Sequence, residues 1–326
     1  MKKLTEIKGI KKFVALLLTF VIVQLLLSFN ILNDYIMATI ATICINIILA
    51  VSLNLITGFT GQFSLGHAGF MSIGAYTCAI IIMRYPSLPG FIIGLFLGAI
   101  LAALLGFVVG LPTLRLRGDY LAIATLGLAE IIRIIFLNLE ITNGAAGLFI
   151  EVQYTNWLWL FIFTAGTVIL ITNFINSSHG RACISIREDE IAAEAMGINT
   201  TKYKVVAFVF GAFCAGIAGA LYSSYFYYIK PDLFGFLKSI DILVIVVLGG
   251  LGSISGSILA AFVLAVISSL LQSFPEVRMV IYSVLLIVIM LFRPQGIMGS
   301  KELSLSMFNK LGSIGSIFGR RNGGGR

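Results

Sequence analysis

Charged residues are scarce in this chain, and their scarcity excludes an ordinary water-soluble domain. Only 11% of the 326 residues are charged, whereas 59% are hydrophobic, and the mean hydropathy is +1.05. Soluble globular domains carry roughly 25% charged and roughly 45–50% apolar residues. The composition therefore predicts a protein that resides in a lipid bilayer.

Residues that usually carry chemistry are also few. The two histidines and four cysteines show no zinc or CxxC spacing, so we expect the cysteines to pack in the interior rather than form a disulfide or metal site. The cysteines are Cys44, Cys78, Cys183 and Cys214. Neither an HExxH motif nor a nucleophile constellation is present, which argues against an enzyme. The glycine cluster 249–256 is followed by Ser257 instead of the Lys of a phosphate-binding loop, so any ATPase must be another polypeptide.

The net charge of +8 comes from basic residues beside long apolar runs, with no basic stripe that would read nucleic acid. Eight runs are candidate spans because a membrane helix needs about 20 mostly apolar residues. They are residues 13–29, 35–57, 62–83, 90–111, 120–138, 157–174, 205–228 and 279–292. The first run lacks a small-x-small cleavage site, and we interpret it as a retained span.

Charge distribution predicts the topology of the spans. If the N-terminus is cytoplasmic, 17 of the 22 basic residues lie on the inside, as the positive-inside rule requires. The basic tail also lies inside only if residues 239–271, broken at the glycine cluster, cross an even number of times or re-enter without crossing. Both alternatives stay open, and both give cytoplasmic termini.

The predicted fold is therefore an all-α integral membrane protein, a polytopic helical bundle of about ten spans with broken or re-entrant segments. We expect one transmembrane domain over residues 1–300 and a flexible cytoplasmic tail over 301–326, where a glycine run follows Arg320 and Arg321.

The inside loop, about 175–204, is the most informative polar connection. Ser185 and Glu188 have capping-box spacing and Gly197 is a natural stop, so the sequence predicts a helix over about 186–196, too short to span. A helix resting on the lipid surface is one interpretation. Such helices usually carry bulky apolar and basic residues, whereas this one is small and acidic, which favours a protein partner.

A second constellation runs from Gly58 to Phe70. The apolar residues after Phe70 are too few for a span, so we expect the helix to begin near Gln62 and to draw irregular backbone into the membrane, where it must be buried in protein or line a cavity. Tight helix packing through small residues is the compatible alternative. The predicted translocation path comprises Gly58, Gly61, Ser64, Gly66, His67, Gly69, Gly249, Gly250 and Gly252.

Few ionisable residues fall within spans. His67 is a functional candidate by default, but its small neighbours favour a neutral histidine that is hydrogen-bonded to the backbone. Glu130 and Arg133 lie one helical turn apart, so we expect them to pair. A proton-coupled secondary carrier would need more buried acids, which makes that function the weaker alternative.

Five motifs occur in order along the chain: 53–68, 115–120, 181–197, 248–253 and 293–296. Together they resemble the permeases of branched-chain amino-acid ABC importers, of the LivM type, over residues 35–299. The resemblance implies the ABC importer permease fold and a place in a bacterial cytoplasmic membrane. Permeases for urea and short-chain amides carry nearly the same motifs, so those substrates stay an alternative.

The resemblance also implies partners. In that family a second homologous permease, two cytoplasmic ATP-binding subunits and an extracytoplasmic substrate-binding protein complete the importer, which takes up leucine, isoleucine or valine. This chain would then hold no cofactor, since ATP binds to the partner subunits. The implied ATPase-docking loop contains Glu188, Glu190, Ile191, Ala192, Ala193, Ala195 and Gly197. The sequence departs from the fuller family consensus after Gly197.

Overall fold

The computed structural model describes residues 20–21, 23–27, 33–114, 116, 118–271, 274, 280–281, 283–284, 287–288, 291–292 and 296–299. Between residues 33 and 271 the fold is almost wholly helical. The α-helices are α1 (Asp34–Asn54), α2 (His67–Arg84), α3 (Leu88–Thr113), α4 (Asp119–Asn138), α5 (Trp157–Asn176), α6 (Ser178–Glu188), α7 (Glu190–Ala195), α8 (Thr200–Phe226), α9 (Phe236–Gly249) and α10 (Ile254–Leu270). A π-helical turn, Leu55–Phe59, extends α1.

Five helices are long and apolar enough to cross a membrane: Asp34–Phe59, Leu88–Thr113, Asp119–Asn138, Trp157–Asn176 and Thr200–Phe226. They confirm a multi-pass, all-helical membrane protein. The predicted tail 301–326 lies outside the described residues, and only 7 residues of the predicted span 13–29 and 8 residues of the predicted span 279–292 are described. The total of about ten spans therefore stays a prediction.

The connections between helices gather at two opposite ends of the bundle. At one end, strand β1 (Leu148–Phe149) pairs antiparallel with strand β2 (Tyr228–Ile229), which joins the connection after α4 to the one after α8. At the other end, the segments after α1 and α3 line one cavity together with α6. This arrangement agrees with the predicted topology, in which the connections that carry β1 and β2 lie outside, and the segments after α1 and α3 lie inside with α6.

The long stretch 239–271 is two helices, as its glycine cluster predicted. Residues 250–253 are not helical and separate α9 from α10. At 1.5 Å per residue, α9 is about 21 Å long and α10 is about 26 Å long. The Asn54 side chain donates to Ser253 O at 2.9 Å, whereas Tyr35 donates to Ser269 O at 2.5 Å. Helix α10 therefore runs antiparallel to α1 along nearly all of it, which favours two crossings over a shallow re-entry.

Glycines let three helices touch backbone to backbone at the centre of the bundle. A Cβ atom on Gly74 of α2 would lie 2.0 Å from Gly216 O of α8, and one on Gly98 of α3 would lie 3.0 Å from Gly74 O. A Cβ on Gly219 would lie 1.9 Å from Met71 O. Because lipid provides no hydrophobic drive between helices, close van der Waals contact of this kind holds them together.

The second predicted constellation forms a different structure from the one expected. Helix α2 begins at His67 and not near Gln62, and residues 61–66 have no regular secondary structure. Gly61 turns the chain with a φ of +71°, a left-handed conformation that glycine adopts without a steric penalty. The irregular backbone in this part of the fold is therefore longer than the sequence predicted.

Candidate functional site

The loop between α5 and α8 folds into two short helices, so the single helix predicted over 186–196 is wrong. Asp189 interrupts it with extended backbone and caps α7, since its Oδ1 accepts from the N–H groups of Ile191 (2.9 Å) and Ala192 (3.0 Å). The predicted capping box fails because Ser185 donates to Ala182 O instead. Aspartate and serine are both favourable N-cap residues, because the side-chain oxygen of either accepts from free helix N–H groups. In this loop Asp189 takes that position.

Side-chain contacts fix these two helices on the start of α8. Glu190 accepts from Lys204 Nζ at 2.6 Å, and Ala193 is only 4% exposed. The thiol of Cys183 donates to Tyr203 O at 3.8 Å, and burial raises its pKa to about 11, which keeps it a neutral packing group. Glu190 and Ala193, both assigned to docking from the sequence, thus have roles within the chain itself.

The opposite side of α7 is open. Ile191 is 73% exposed and Met196 is 82% exposed, and Ala192, Ala195 and Glu188 are exposed beside them. The predicted helix stop at Gly197 is confirmed: its φ is +82°, and Ile198 N–H donates back to Ala193 O at 3.1 Å. We call the exposed set Glu188, Ile191, Ala192, Ala195, Met196 and Gly197 the docking surface.

The irregular segment before α2 is held inside the protein. Leu65 N–H donates to Thr125 Oγ1 of α4 at 3.0 Å, and Ala68 N–H donates to Ser239 Oγ of α9 at 3.3 Å. A Cβ atom on Gly66 would lie 2.7 Å from Thr125 O, and one on Gly69 would lie 2.9 Å from Ala129 Cα. These glycines therefore serve close packing against α4.

His67 is a buried, singly bonded histidine. Its Nε2 lies 2.8 Å from Ser52 Oγ, and that hydroxyl is placed to donate to Leu49 O at 3.0 Å, so Nε2–H is the donor. The expected partner was the backbone, whereas the observed partner is a side chain. His67 Nδ1 has no hydrogen-bond partner within the described ranges.

Asn54 joins α1 to the glycine break, residues 250–253 between α9 and α10. Its Oδ1 accepts from Gly252 N–H at 2.9 Å, while its Nδ2 donates to Ser253 O at 2.9 Å and to Ser257 Oγ at 2.8 Å. A Cβ on Gly58 would lie 1.7 Å from Asn54 Oδ1. We call Asn54, the π-helical turn 55–59 and the break 250–253 the inner joint.

Eight of the nine residues predicted to line the path are buried, and only Gly61 is exposed. The structure brings Gly58, Gly249, Gly250 and Gly252 together at the inner joint, and Ser64, Gly66, His67 and Gly69 together beside α4 and α1. Their contacts match the packing alternative. Their part in transport stays a prediction.

A cavity opens between α1, α8 and α10, at the end of the bundle opposite the docking surface. Its volume is about 230 Å³, and five of its eight lining residues carry a hydroxyl group. The hydroxyl residues are Tyr35, Thr39, Thr42, Ser268 and Ser269. Thr39 Oγ1 lies 2.9 Å from Ser269 Oγ, which joins α1 to α10.

Charged groups in α4 pair as the sequence predicted. Arg133 Nε donates to Glu130 Oε2 at 2.7 Å, and Arg133 Nη1 also donates to Asp232 Oδ1 at 3.1 Å. These three groups neutralise much of one another's charge at the end of the bundle that carries the β1–β2 pair.

Asn54 is the residue whose role sequence reasoning missed. The available signal was an amide within the apolar run 35–57, which also contains Asn46, since a buried polar side chain in a membrane protein has to find hydrogen-bond partners. The amide's partners lie about 200 residues away, which no local pattern reveals.

Comparison with known proteins identifies the family. Residues 35–291 match the family model described as branched-chain amino acid transport system, permease component. The chain is 37% identical over 289 residues to the high-affinity branched-chain amino acid transport system permease protein LivM of Salmonella typhimurium, which covers 78% of this chain and 68% of that protein. For LivM of Escherichia coli the identity is 36% over 300 residues, covering 81% and 70%.

A second permease type is also similar. The high-affinity branched-chain amino acid transport system permease protein LivH of Salmonella typhimurium is 35% identical over 149 residues, covering 45% of this chain and 47% of that protein. No solved structure shows significant similarity to the chain. The chain belongs to the family of permease components of branched-chain amino-acid transport systems.

Proposed function

We propose that this chain is one permease half of an ATP-driven ABC importer that moves leucine, isoleucine and valine across the cytoplasmic membrane. The observation that carries the proposal is the docking surface, a small and apolar patch held rigidly at one end of a bundle that belongs to a transport-permease family. Relatives of two types, LivM and LivH, bear the names of branched-chain amino-acid permeases, which supports this substrate class.

The docking surface fits an ATPase better than it fits lipid. Its centre consists of Ala192 and Ala195, with Ile191 and Met196 beside them and Glu188 at its edge. Small side chains permit a close approach of a second protein, and α7 carries Glu190 and Glu194 but no basic residue, whereas a helix lying on lipid usually presents Lys or Arg. ATP binding and hydrolysis in the partner would push on α7 and open the path.

The other partners follow from the same proposal. A second, homologous permease completes the path, two cytoplasmic ATP-binding subunits hold the ATP, and an extracytoplasmic protein delivers the amino acid. This chain holds no cofactor of its own and is not an enzyme. Both termini lie in the cytoplasm, which places α6 and α7 on the side of the ATPases.

We propose that the substrate passes along the outward-facing side of α1 and α10. The cavity there supports this, because its five hydroxyl groups suit water, substrate or a partner permease better than lipid. All four native cysteines are buried, so a single new cysteine can be labelled selectively. Thr39→Cys should react with a membrane-impermeant thiol reagent and be protected by leucine in the assembled importer. Ser72→Cys, at a buried position of α2, is the control that should not react. Equal reactivity at both positions would count against this path.

Co-purification followed by transport tests the function itself. The tagged chain is expressed with its neighbouring genes, extracted in mild detergent and reconstituted with the proteins that stay bound. We expect a second permease and two ATPases, and ATP-dependent uptake of labelled leucine in the presence of the binding protein. Uptake of urea or amides in place of leucine would correct the substrate, and ion-driven uptake by the chain alone would refute the importer.

A further inference from the structure

The docking loop and the segment that follows the inner joint meet around one cavity. Its volume is about 240 Å³, and its wall includes residues of the segment after α1, the connection after α3, helices α6 and α7, and the start of α8. Gln62, Arg187 and Lys204 line it from three of these elements. Any movement of the docking loop relative to α1 has to change this cavity.

Arg187 reaches from the loop to both sides of the inner joint. Its Nη1 donates to Gly58 O of the π-helical turn at 2.5 Å. The same Nη1 would lie only 2.5 Å from a Cβ atom on Gly252, so it covers the backbone of the glycine break. Gly61 packs beside it, since a Cβ there would lie 3.6 Å from Arg187 Cα. Glycine at position 252 is what lets the arginine fit, whereas Gly61 is favoured by its φ of +71°.

We propose that Arg187 is the positioning residue that transmits movement of the docking surface to the membrane helices. The inference rests on the proposed importer function. Arg187 lies two residues before Asp189, where extended backbone separates α6 from α7. Asn54 bonds to the break beside Gly58, so a displacement of the Gly58 carbonyl acts on α1, α9 and α10 together.

Gln62 supplies a second acceptor for the same guanidinium. Its side chain is 3% exposed, and neither Oε1 nor Nε2 has a hydrogen-bond partner among the described residues. A buried amide without partners is unfavourable, and such a group calls for an explanation. In the proposed cycle Arg187 leaves Gly58 O when the loop moves and donates to Gln62 Oε1 across the cavity, which gives the joint two discrete arrangements.

The same helix offers a matched control. Arg181 lies six residues earlier in α6 and is exposed, and its bonds are local, to Asn176 O at 3.0 Å and Ser178 Oγ at 3.2 Å. Replacing Arg181 therefore removes the same charge from the same helix without touching the joint.

The experiment uses the complete importer in liposomes and measures leucine uptake and ATP hydrolysis in the same preparation. Arg187→Ala should assemble and hydrolyse ATP at near the wild-type rate, with uptake per ATP lowered about tenfold, as expected for the loss of a charged hydrogen bond. Arg187→Gln, which keeps an N–H donor, should retain part of the coupling. Arg181→Ala should match the wild type.

Several results would overturn the inference. Normal uptake per ATP in Arg187→Ala, or an equal loss in Arg181→Ala, would show that the joint does not carry the coupling. Loss of ATPase binding, or a parallel fall of uptake and hydrolysis, would make Arg187 a docking contact instead. A wild-type importer without ATP-dependent uptake would refute the proposed function, which is a separate outcome.

A double-mutant cycle tests the second acceptor. Gln62→Leu should lower uptake per ATP in the wild-type background and have no further effect in Arg187→Ala, because the two groups act as a pair. Independent, additive effects of the two substitutions would exclude Gln62 as the alternative partner.

Discussion

Small residues are buried against backbone in one region of this molecule and exposed in another. At the centre of the bundle and at the inner joint, glycines lie against backbone, with no room for a Cβ on Gly74 or Gly249. On α7, Ala192 and Ala195 are exposed. Smallness in the first region is explained by contacts within the chain. In the second region it leaves an open surface, which the proposed ATPase would cover.

The largest loss of stability is expected when a glycine at the centre of the bundle is enlarged. Gly74→Val would force a branched side chain into the backbone of α8, and overpacking of this kind costs about 3 kcal/mol where the surroundings cannot yield. We expect little monodisperse protein in detergent and a much lower melting temperature.

Gly127→Val is the control for that substitution. Gly127 is a helical glycine of α4 whose Cβ would meet nothing within 4 Å. The change should alter stability by about 0.5 kcal/mol or less, as at other open positions. Equal melting temperatures for the two variants would mean that α2 and α8 are not in backbone contact.

Replacing Asn54 tests the inner joint. Asn54→Leu keeps the volume but leaves Gly252 N–H without its acceptor in a buried position, which costs about 2 kcal/mol. Thermal unfolding should report that loss, and leucine uptake should fall with it. Asn46→Leu, two turns earlier in α1, should change stability much less. A neutral Asn54→Leu would show that the break holds its shape without α1.

Two alanines on α7 sharpen the comparison within one helix. Ala193→Arg should destabilise the loop, because that position is packed on the rest of the chain. Ala195→Arg should leave the melting temperature unchanged and lower the recovery of ATPase about tenfold or more, the effect of a loss of about 1.4 kcal/mol or more in binding. Co-purification from one expression series measures both. Undiminished recovery with Ala195→Arg would remove α7 from the docking surface.

Sequence reasoning succeeded where the physics is local. Length and hydropathy identified the spanning helices, the glycine cluster predicted the break between α9 and α10, and one-turn spacing paired Glu130 with Arg133. Gly197 ended its helix as expected, because a left-handed residue at that position needs a glycine. Each of these features depends on residues within a few positions of one another.

The failures have a common cause in distant contacts. The predicted cap was Ser185, whereas Asp189 caps α7, and contacts of α6 and α7 with α8 hold this arrangement in place. The segment before α2 is irregular, and Thr125 of α4 accepts from its Leu65 N–H, while Ser239 of α9 accepts from Ala68 N–H in the first turn of α2. No local pattern pairs Asn54 with residues 252–257, and none distinguishes glycines that pack from glycines that line a path.

The smallest effect is expected at the ion pair of Arg133. Asp232→Asn removes one of its two acid partners, but that side chain is 61% exposed and Glu130 remains bonded, so the loss should be about 0.5 kcal/mol or less. Glu130→Gln, which breaks the shorter and less exposed contact, should cost more. Melting temperatures at low and high salt check this, because screening weakens the exposed pair and should erase the difference between wild type and Asp232→Asn. A large, salt-independent loss in Asp232→Asn would mean that this end of the bundle is shielded from water, and that a partner covers it as α7 is covered in the proposed importer.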